Sequence, residues 1–288
     1  APAAIRYAHG LRMSPTPSQA TMEHQPVFLT AQWRHLLMLN YEVESHLLEP
    51  YLPAGTQLDY VRGSTYVSLV GFRFLDTRLK GWRIPGHQNF DEVNLRFYVR
   101  RPHLEGHRRG VVFIKEIVPR FWVAAIANTI YHENYAAHSM RHQITCNGDG
   151  LCAGAPIEYA WRAGGRWHRI GAEIAGPAVK PMPTSDEQFI TEHYWGYSRT
   201  RDGMTIEYEV AHPPWQVYPV RDPRCEIDVA RLYGAEFATA LSGAPSSAFV
   251  ADGSAVSVHR GTRVTYDAGT PVGVKTDDGE ADAAWATA

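Results

Sequence analysis

Hydrophobic runs with the marks of strands, some apolar on both faces and one cleanly alternating, dominate this chain, and only short stretches switch to helical spacing. RHLLMLNYEV (34–43) predicts a strand, followed by an amphipathic turn of helix in ESHLLEPYLP that stops at Pro53-Ala54-Gly55. STYVSLVGFRF (64–74) is dense in β-branched and aromatic residues, the composition of a pleated, half-buried surface. EVNLRFYVRR (92–101) alternates cleanly, with Val93, Leu95, Phe97 and Val99 on one face and Glu92, Asn94, Arg96, Tyr98 and Arg100 on the other. GVVFIKEIV (110–118) is apolar on both faces except for Lys115 and Glu116. The period changes at FWVAAIANTIYHENY (121–135), which reads as a helix begun after Pro119. SDEQFITEHYW (185–195) reads as a second helix, capped by Ser185, with Asp186 and Glu187 favourable near its positive end. Strands resume in MRHQITC, in IEYAWRA and WHRIGAEI around a Gly164-Gly165 hairpin turn, and in MTIEYEV, WQVYPV, SAFVA and AVSVHRG. A short helical segment lies near 228–241. Strands outnumber helices roughly three to one and the helices come singly, which argues against a Rossmann-type sheet. The pattern predicts an α+β fold: one domain on a large, mainly antiparallel sheet or barrel with a few packed helices.

The ends fall outside this pattern. The first 21 residues carry no acidic group, no period and nothing like the roughly 7–15-residue apolar core of a secretory signal. Residues 268–288 are small, acidic and aperiodic. The expected layout is a disordered extension over 1–25, a single domain over 26–266 and a disordered tail over 267–288.

Composition narrows the function classes. Of 288 residues, 44% are hydrophobic and 20% charged, enough apolar material for a real core. A net charge of −2 leaves no excess of cations for a strongly basic nucleic-acid surface. No run approaches the ~18 apolar residues of a membrane-spanning helix. Three cysteines cannot all pair and form no Cys-x-x-Cys, which favours a reducing compartment and a cytoplasmic location. Only four lysines occur, Lys80, Lys115, Lys180 and Lys275, so any amine chemistry belongs to one of them.

The usual catalytic motifs are absent: no Gly-x-Ser-x-Gly, Walker loop, His-Glu-x-x-His or Gly-x-Gly-x-x-Gly. His138 and His142 have the spacing of a helical metal pair, but their segment reads as a strand and no third ligand is evident, so no metal is expected. The strand 110–118 holds the strongest oddity. Burial of both its faces would desolvate Lys115 or Glu116, which is costly without a partner. Residues 102–110 would form the hairpin loop to strand 92–101. One register of that hairpin sets Glu116 beside Arg96; a one-residue slip instead brings Lys115 to the Glu92/Asn94/Arg96/Tyr98 face. There, near an arginine, it would be a candidate amine nucleophile. Alternation alone leaves open whether that face is wet or lines a pocket. Aromatic residues crowd the second predicted helix and the segment beyond it: Phe189, His193, Tyr194, Trp195, Tyr197, Tyr208, Trp215 and Tyr218. They suit either a ligand pocket or, more commonly, ordinary core.

Long blocks of the chain also carry a resemblance. FLTAQWRHLLMLNYEV, Leu52 to Thr56, YVSLVGFRF, NFDEVNLRFYVR, RGVVFIKEIVPR, ITEHYWGYSR and AFVADGSAVSVHRGTRV resemble the YqjF-like proteins, a bacterial family placed near the acetoacetate decarboxylase superfamily. The resemblance runs from about Phe28 to Val264. It implies one domain with a cone-like, largely antiparallel β-barrel around a small-molecule cavity, and it implies no established reaction. Acetoacetate decarboxylases in the wider superfamily use a Schiff-base lysine from a lysine pair preceded by proline. The corresponding stretch here, ANTIYHENYAAHSM (127–140), contains no lysine, and Lys115 is not the matching position. No catalytic residue therefore carries over.

Together these readings predict a protein that binds a small organic or oxo acid. Arg96 would anchor the carboxylate through a bidentate pair. Asn94, Tyr98, His193, Tyr194 and Trp195 would line the ligand, and Lys115, Glu116 and Glu92 are the catalytic candidates. No cofactor, nucleic acid or membrane is expected, and homo-oligomerisation stays open. Two classes of function remain: a cofactor-independent lyase or hydratase, and a non-catalytic ligand-binding or sensing module.

Overall fold

The computed structural model describes residues 25–103, 106–119, 134–147 and 150–264. Its strands in chain order are β1 (Val27–Val43), β2 (Gln57–Leu58), β3 (Thr65–Leu79), β4 (Trp82–Arg83), β5 (Phe90–His103) and β6 (Gly106–Val118). Next come β7 (Tyr135–Ala137), β8 (Ser139–Ile144), β9 (Cys146–Asn147), β10 (Gly150–Leu151), β11 (Pro156–Ala163) and β12 (Arg166–Ile174). The last are β13 (Trp195–Arg199), β14 (Thr205–Ala211), β15 (Val217–Glu226), β16 (Ser247–His259) and β17 (Thr262–Arg263). Two short helices, α1 (Asp186–Thr191) and α2 (Val229–Leu232), interrupt them. The expected extension and tail, apart from Gln25, lie outside the described residues, as does most of the helix expected at 121–135. Its last residue, Tyr135, opens β7 instead.

One large sheet runs β17-β14-β13-β6-β5-β3-β1-β16-β15-β12-β11-β8. Because β14 also pairs β16 (Val210↔Val258, Ala211↔Ser257), the strands β14, β13, β6, β5, β3, β1 and β16 return on themselves as a hydrogen-bonded ring. The other edge of the sheet continues from β16 through β15, β12 and β11 to β8 as a wing. The β13–β6 and β6–β7 pairings are parallel, so the sheet is mixed rather than a simple antiparallel barrel.

The two faces of the ring strands feed two cores. Val93, Leu95, Phe97 and Val99 of β5, all fully buried, pack with Leu37, Leu39 and Leu69 and with Ile157, Tyr159 and Trp161 of the wing. On the other face Met38, Val70, Phe72, Tyr98, Val111, Phe249 and Val256 form a second cluster. Both faces being buried explains the near-continuous apolar runs of β1 and β3, where a one-sided sheet would show strict alternation.

The expected hairpin is present: β5 and β6 are antiparallel neighbours from Val93↔Ile117 out to His103↔Gly106. The ladder extends further than the nine-residue loop anticipated at 102–110. The second helix is shorter than 185–195. Ser185 Oγ accepts from the Gln188 amide at 3.2 Å as the cap requires, but the chain leaves helical geometry at Glu192, and Trp195 already belongs to β13. Sheet pairing to β14 and β6 overrides local helix preference there.

Candidate functional site

Inside the ring lies a cavity of about 360 Å³. Three of its polar groups come from one strand, because alternate residues of β5 point inward: Phe90, Glu92, Asn94 and Arg96. Glu92 and Asn94 are at most 2% exposed and Arg96 is 9% exposed, so the polar face of this strand is not wet.

The neighbouring strand β6 contributes through a break in its period. The register shifts between Leu95 and Arg96, so that Asn94 opposes Glu116, Leu95 opposes Lys115, and Arg96 opposes Phe113, leaving Ile114 as an extra residue. This bulge reverses the parity of everything beyond it. Strict alternation groups Val111, Phe113 and Lys115. The bulged strand instead presents Val111, Phe113 and Glu116 to the cavity, while Val112, Ile114 and Ile117 join the opposite core. The Ile114 carbonyl accepts from Asn134 Nδ2 at 3.1 Å.

Glu116 therefore reaches the predicted site and Lys115 does not. Lys115 does not line the cavity; its Nζ donates to the Leu232 carbonyl at 2.7 Å, and burial lowers its pKa. Lys80 and Lys180 are exposed and do not line the cavity either. Residues 120–133, outside the described set, contain no lysine. Of the three described lysines, none is placed to form an imine with a ligand here.

Arg96 has few polar partners. Its Nη2 donates to the Ile190 carbonyl at 3.4 Å and lies 4.0 Å from Met38 Sδ; its guanidinium carbon is 5.7 Å from the Tyr98 ring centroid. Nε is buried without a partner, and Arg96 makes no ion pair with any described residue. The nearby polar groups are engaged in their own pairs. Asn94 Nδ2 donates to Glu92 Oε1 at 3.0 Å, which leaves Asn94 Oδ1 buried and unsatisfied. The Tyr135 hydroxyl stands 3.5 Å from Glu92 Oε2.

Helix α1 packs near Arg96, with its Ile190 carbonyl accepting from Arg96 and its Thr191 lining the cavity. Beyond it His193 lines the cavity and directs Nε2 at Asp59 Oδ2, 3.1 Å away, while Arg109 Nε holds the same oxygen at 2.6 Å. Burial drives the His193 pKa down to about 4; Arg109 and Arg96 push the same way, against the Asp59 bond. The ring is neutral near pH 7 with its proton on Nε2 toward Asp59, and Nδ1 remains buried without a partner. Burial alone would raise the Asp59 pKa, but the hydrogen bonds and charges of His193 and Arg109 outweigh it and lower it. Sequence reasoning missed Asp59 and Arg109, because no local spacing links positions 59, 109 and 193.

The remaining candidates divide. Trp195 lines the cavity, together with Tyr208, His212 and Trp215. Tyr98 is buried behind it, its hydroxyl 2.5 Å from Ser68 Oγ, which donates to Asn40 Oδ1. Tyr194 also lies outside, its ring 4.7 Å from that of His212. Phe189, Tyr197 and Tyr218 are core. The other walls come from β1 and β3, as Phe28, Trp33, Phe72 and Phe74, none of which the sequence pattern singles out as a site residue. His138 lies between β7 and β8, and His142 Nδ1 sits 2.8 Å from Asp91 Oδ2; among the described residues no group of His, Cys, Asp or Glu is arranged to hold a metal.

Known proteins share this architecture. The acetoacetate decarboxylase-like enzyme from Sphingomonas wittichii RW1 superposes with a TM-score of 0.59 at 13% identity, over 83% of this chain and 94% of that one. The enduracididine biosynthesis enzyme MppR complexed with pyruvate gives 0.58 at 13% identity, over 91% and 99%. Acetoacetate decarboxylase from Legionella pneumophila gives 0.55 at 13%, over 91% and 98%. At such identities the likeness is one of fold. In sequence, protein YqjF of Bacillus subtilis (strain 168), described as uncharacterized, is 25% identical over 184 residues, which cover 64% of this chain and 72% of that one. The model of the DUF2071 family, described as an uncharacterized conserved protein, matches residues 30–255. With that match spanning most of the ring and wing, the chain belongs to the DUF2071 family, built on the fold of the acetoacetate decarboxylase-like enzymes.

Proposed function

We propose that the chain binds a small organic acid inside the ring, with the ligand carboxylate on Arg96. The observation that carries this reading is a cavity-lining guanidinium, 9% exposed, that makes no ion pair with a described residue. Burying a lone cation costs several kcal/mol, and a carboxylate arriving with the ligand compensates that cost through a bidentate pair. A fold neighbour complexed with pyruvate supports the same chemistry. Isothermal titration with simple carboxylates tests it. Arg96→Gln is expected to weaken binding roughly tenfold to a hundredfold, the worth of a charged hydrogen bond. Unchanged affinity would refute the anchor.

Turnover as a cofactor-free lyase or hydratase is the second reading, supported by Glu92 and Glu116 in the same cavity. Either carboxyl could move a proton at the carbon beside the ligand carboxylate, with Asn94 and His193 orienting the ligand. The amine route is not part of this proposal, since no described lysine reaches the cavity. Consumption of oxo acids by the wild type and its loss in Glu116→Gln would support turnover. Tight binding with no consumption would instead favour a ligand-binding module.

A further inference from the structure

We propose that the ligand is an arylalkanoic acid, a carboxylate joined by a short chain to a flat aromatic body. This rests on the reading of Arg96 as the anchor and adds what is attached to the carboxylate. The cavity, about 360 Å³, falls in the range of roughly 300–1,000 Å³ that suits drug-sized ligands rather than a three-carbon acid. Along β5 the lining runs from Arg96 through Asn94 and Glu92 to Phe90. Phe90 stands six residues from Arg96, about 20 Å along the strand, so a short-chain acid held on Arg96 meets the aromatic wall at its Trp215 side, where the His212 ring, within reach of the Arg96 charge, stacks on Trp215 at 4.1 Å. Phe90 is met across the sheet by Phe74.

The far wall is aromatic and ordered. Phe74 stacks on Phe90 at 4.6 Å and 14°. Trp33 meets Phe72 and Phe74 edge-on at 5.3 and 5.6 Å, and Trp215 lies 6.4 Å from Trp33. These rings meet one another both stacked and edge-on, and a flat π-system can join such a cluster through its quadrupole as an aliphatic chain cannot. A small acid would occupy Arg96 and leave this wall against water, forgoing the burial that dominates affinity in such sites.

Calorimetric titration of the full chain near pH 7.5 tests this with four probes: 3-phenylpropanoate, propanoate, 3-cyclohexylpropanoate and 3-phenylpropan-1-ol. The phenyl acid is expected to bind roughly tenfold to a hundredfold more tightly than propanoate. It should also bind several-fold more tightly than the cyclohexyl acid. Propanoate binding as well as the phenyl acid would overturn the proposal while leaving the Arg96 anchor standing. Equal affinity for the phenyl and cyclohexyl acids would overturn the aromatic assignment. Equal affinity for the phenyl acid and the phenyl alcohol would overturn the anchor instead.

Discussion

Lys115 and Glu116 are adjacent in sequence and have opposite fates. Glu116 is almost wholly buried at the cavity and opposes Asn94, whereas Lys115 opposes Leu95 and reaches the Leu232 carbonyl. Lys115→Met is therefore expected to leave ligand affinity within about twofold, since loss of one hydrogen bond on the far face does not touch the ligand. Borohydride treatment in the presence of pyruvate should leave Lys115 unmodified by mass analysis; an adduct there would show that the lysine reaches the cavity after all. Much of the site at this scale was legible. Alternation on β5 placed Glu92, Asn94 and Arg96 on one face correctly, and all three line the cavity. Tyr98 shares their parity but is withdrawn by Ser68 and Asn40, a contact between strands that no pattern within one strand displays. The Asp59–His193 pair joins residues 134 apart in the chain and was invisible for the same reason.

At the level of elements, the decisive feature is the bulge in β6. Hydrophobic periodicity reads a strand as unbroken, and an extra residue inside an apolar run such as Val-Val-Phe-Ile leaves no polar mark to reveal it. The strands themselves were legible because β-branched and aromatic runs bounded by Gly and Pro have few alternatives. Helix α1 was over-extended because Glu192, His193 and Tyr194 suit a helix locally, while Trp195 and Gly196 are claimed by parallel pairing with Gly110 and Val111. That pairing depends on Gly110. A Cβ there would lie 2.5 Å from the Trp195 carbonyl oxygen and 2.6 Å from the Tyr197 ring, and backbone cannot retreat as a flexible side chain can. Gly110→Val should destabilise the protein by roughly 1–3 kcal/mol or more. The expected fall in Tm is about 3–10 °C. Ligand binding should weaken with it, because Trp195 sits on the displaced strand. A melt indistinguishable from wild type would show that β13 is not packed this closely on β6.

For the whole molecule, a sheet-dominated domain with a few helices was readable from the chain, but the path of the sheet was not. Ring closure rests on two residue pairs between β14 and β16, some fifty residues apart, and the wing shares β16 with the ring. Enclosure is what buries His193 beside Asp59, Arg109 and Arg96, and it ties global stability to pH. The unfolded chain takes up a proton on this histidine near its ordinary value of 6.5, whereas the folded protein does so only at about 4. Between those values the unfolded state binds more protons, so stability is full above about pH 6.5 and declines as pH falls toward 4. The contribution of His193 amounts to at most roughly 3 kcal/mol across that window. His35, His138 and His212 are also held below their ordinary value, first of all by burial, and add to the same slope. Asp59, whose pKa is lowered, acts only further down, where its own protonation removes the pairs with His193 and Arg109. Urea unfolding at pH 7.5, 6, 5 and 4.5 should show stability declining stepwise in the wild type. His193→Gln, which keeps a donor for Asp59 and cannot titrate, should show a shallower decline over the same range. An identical slope in the two proteins would mean that His193 is not held neutral inside the ring.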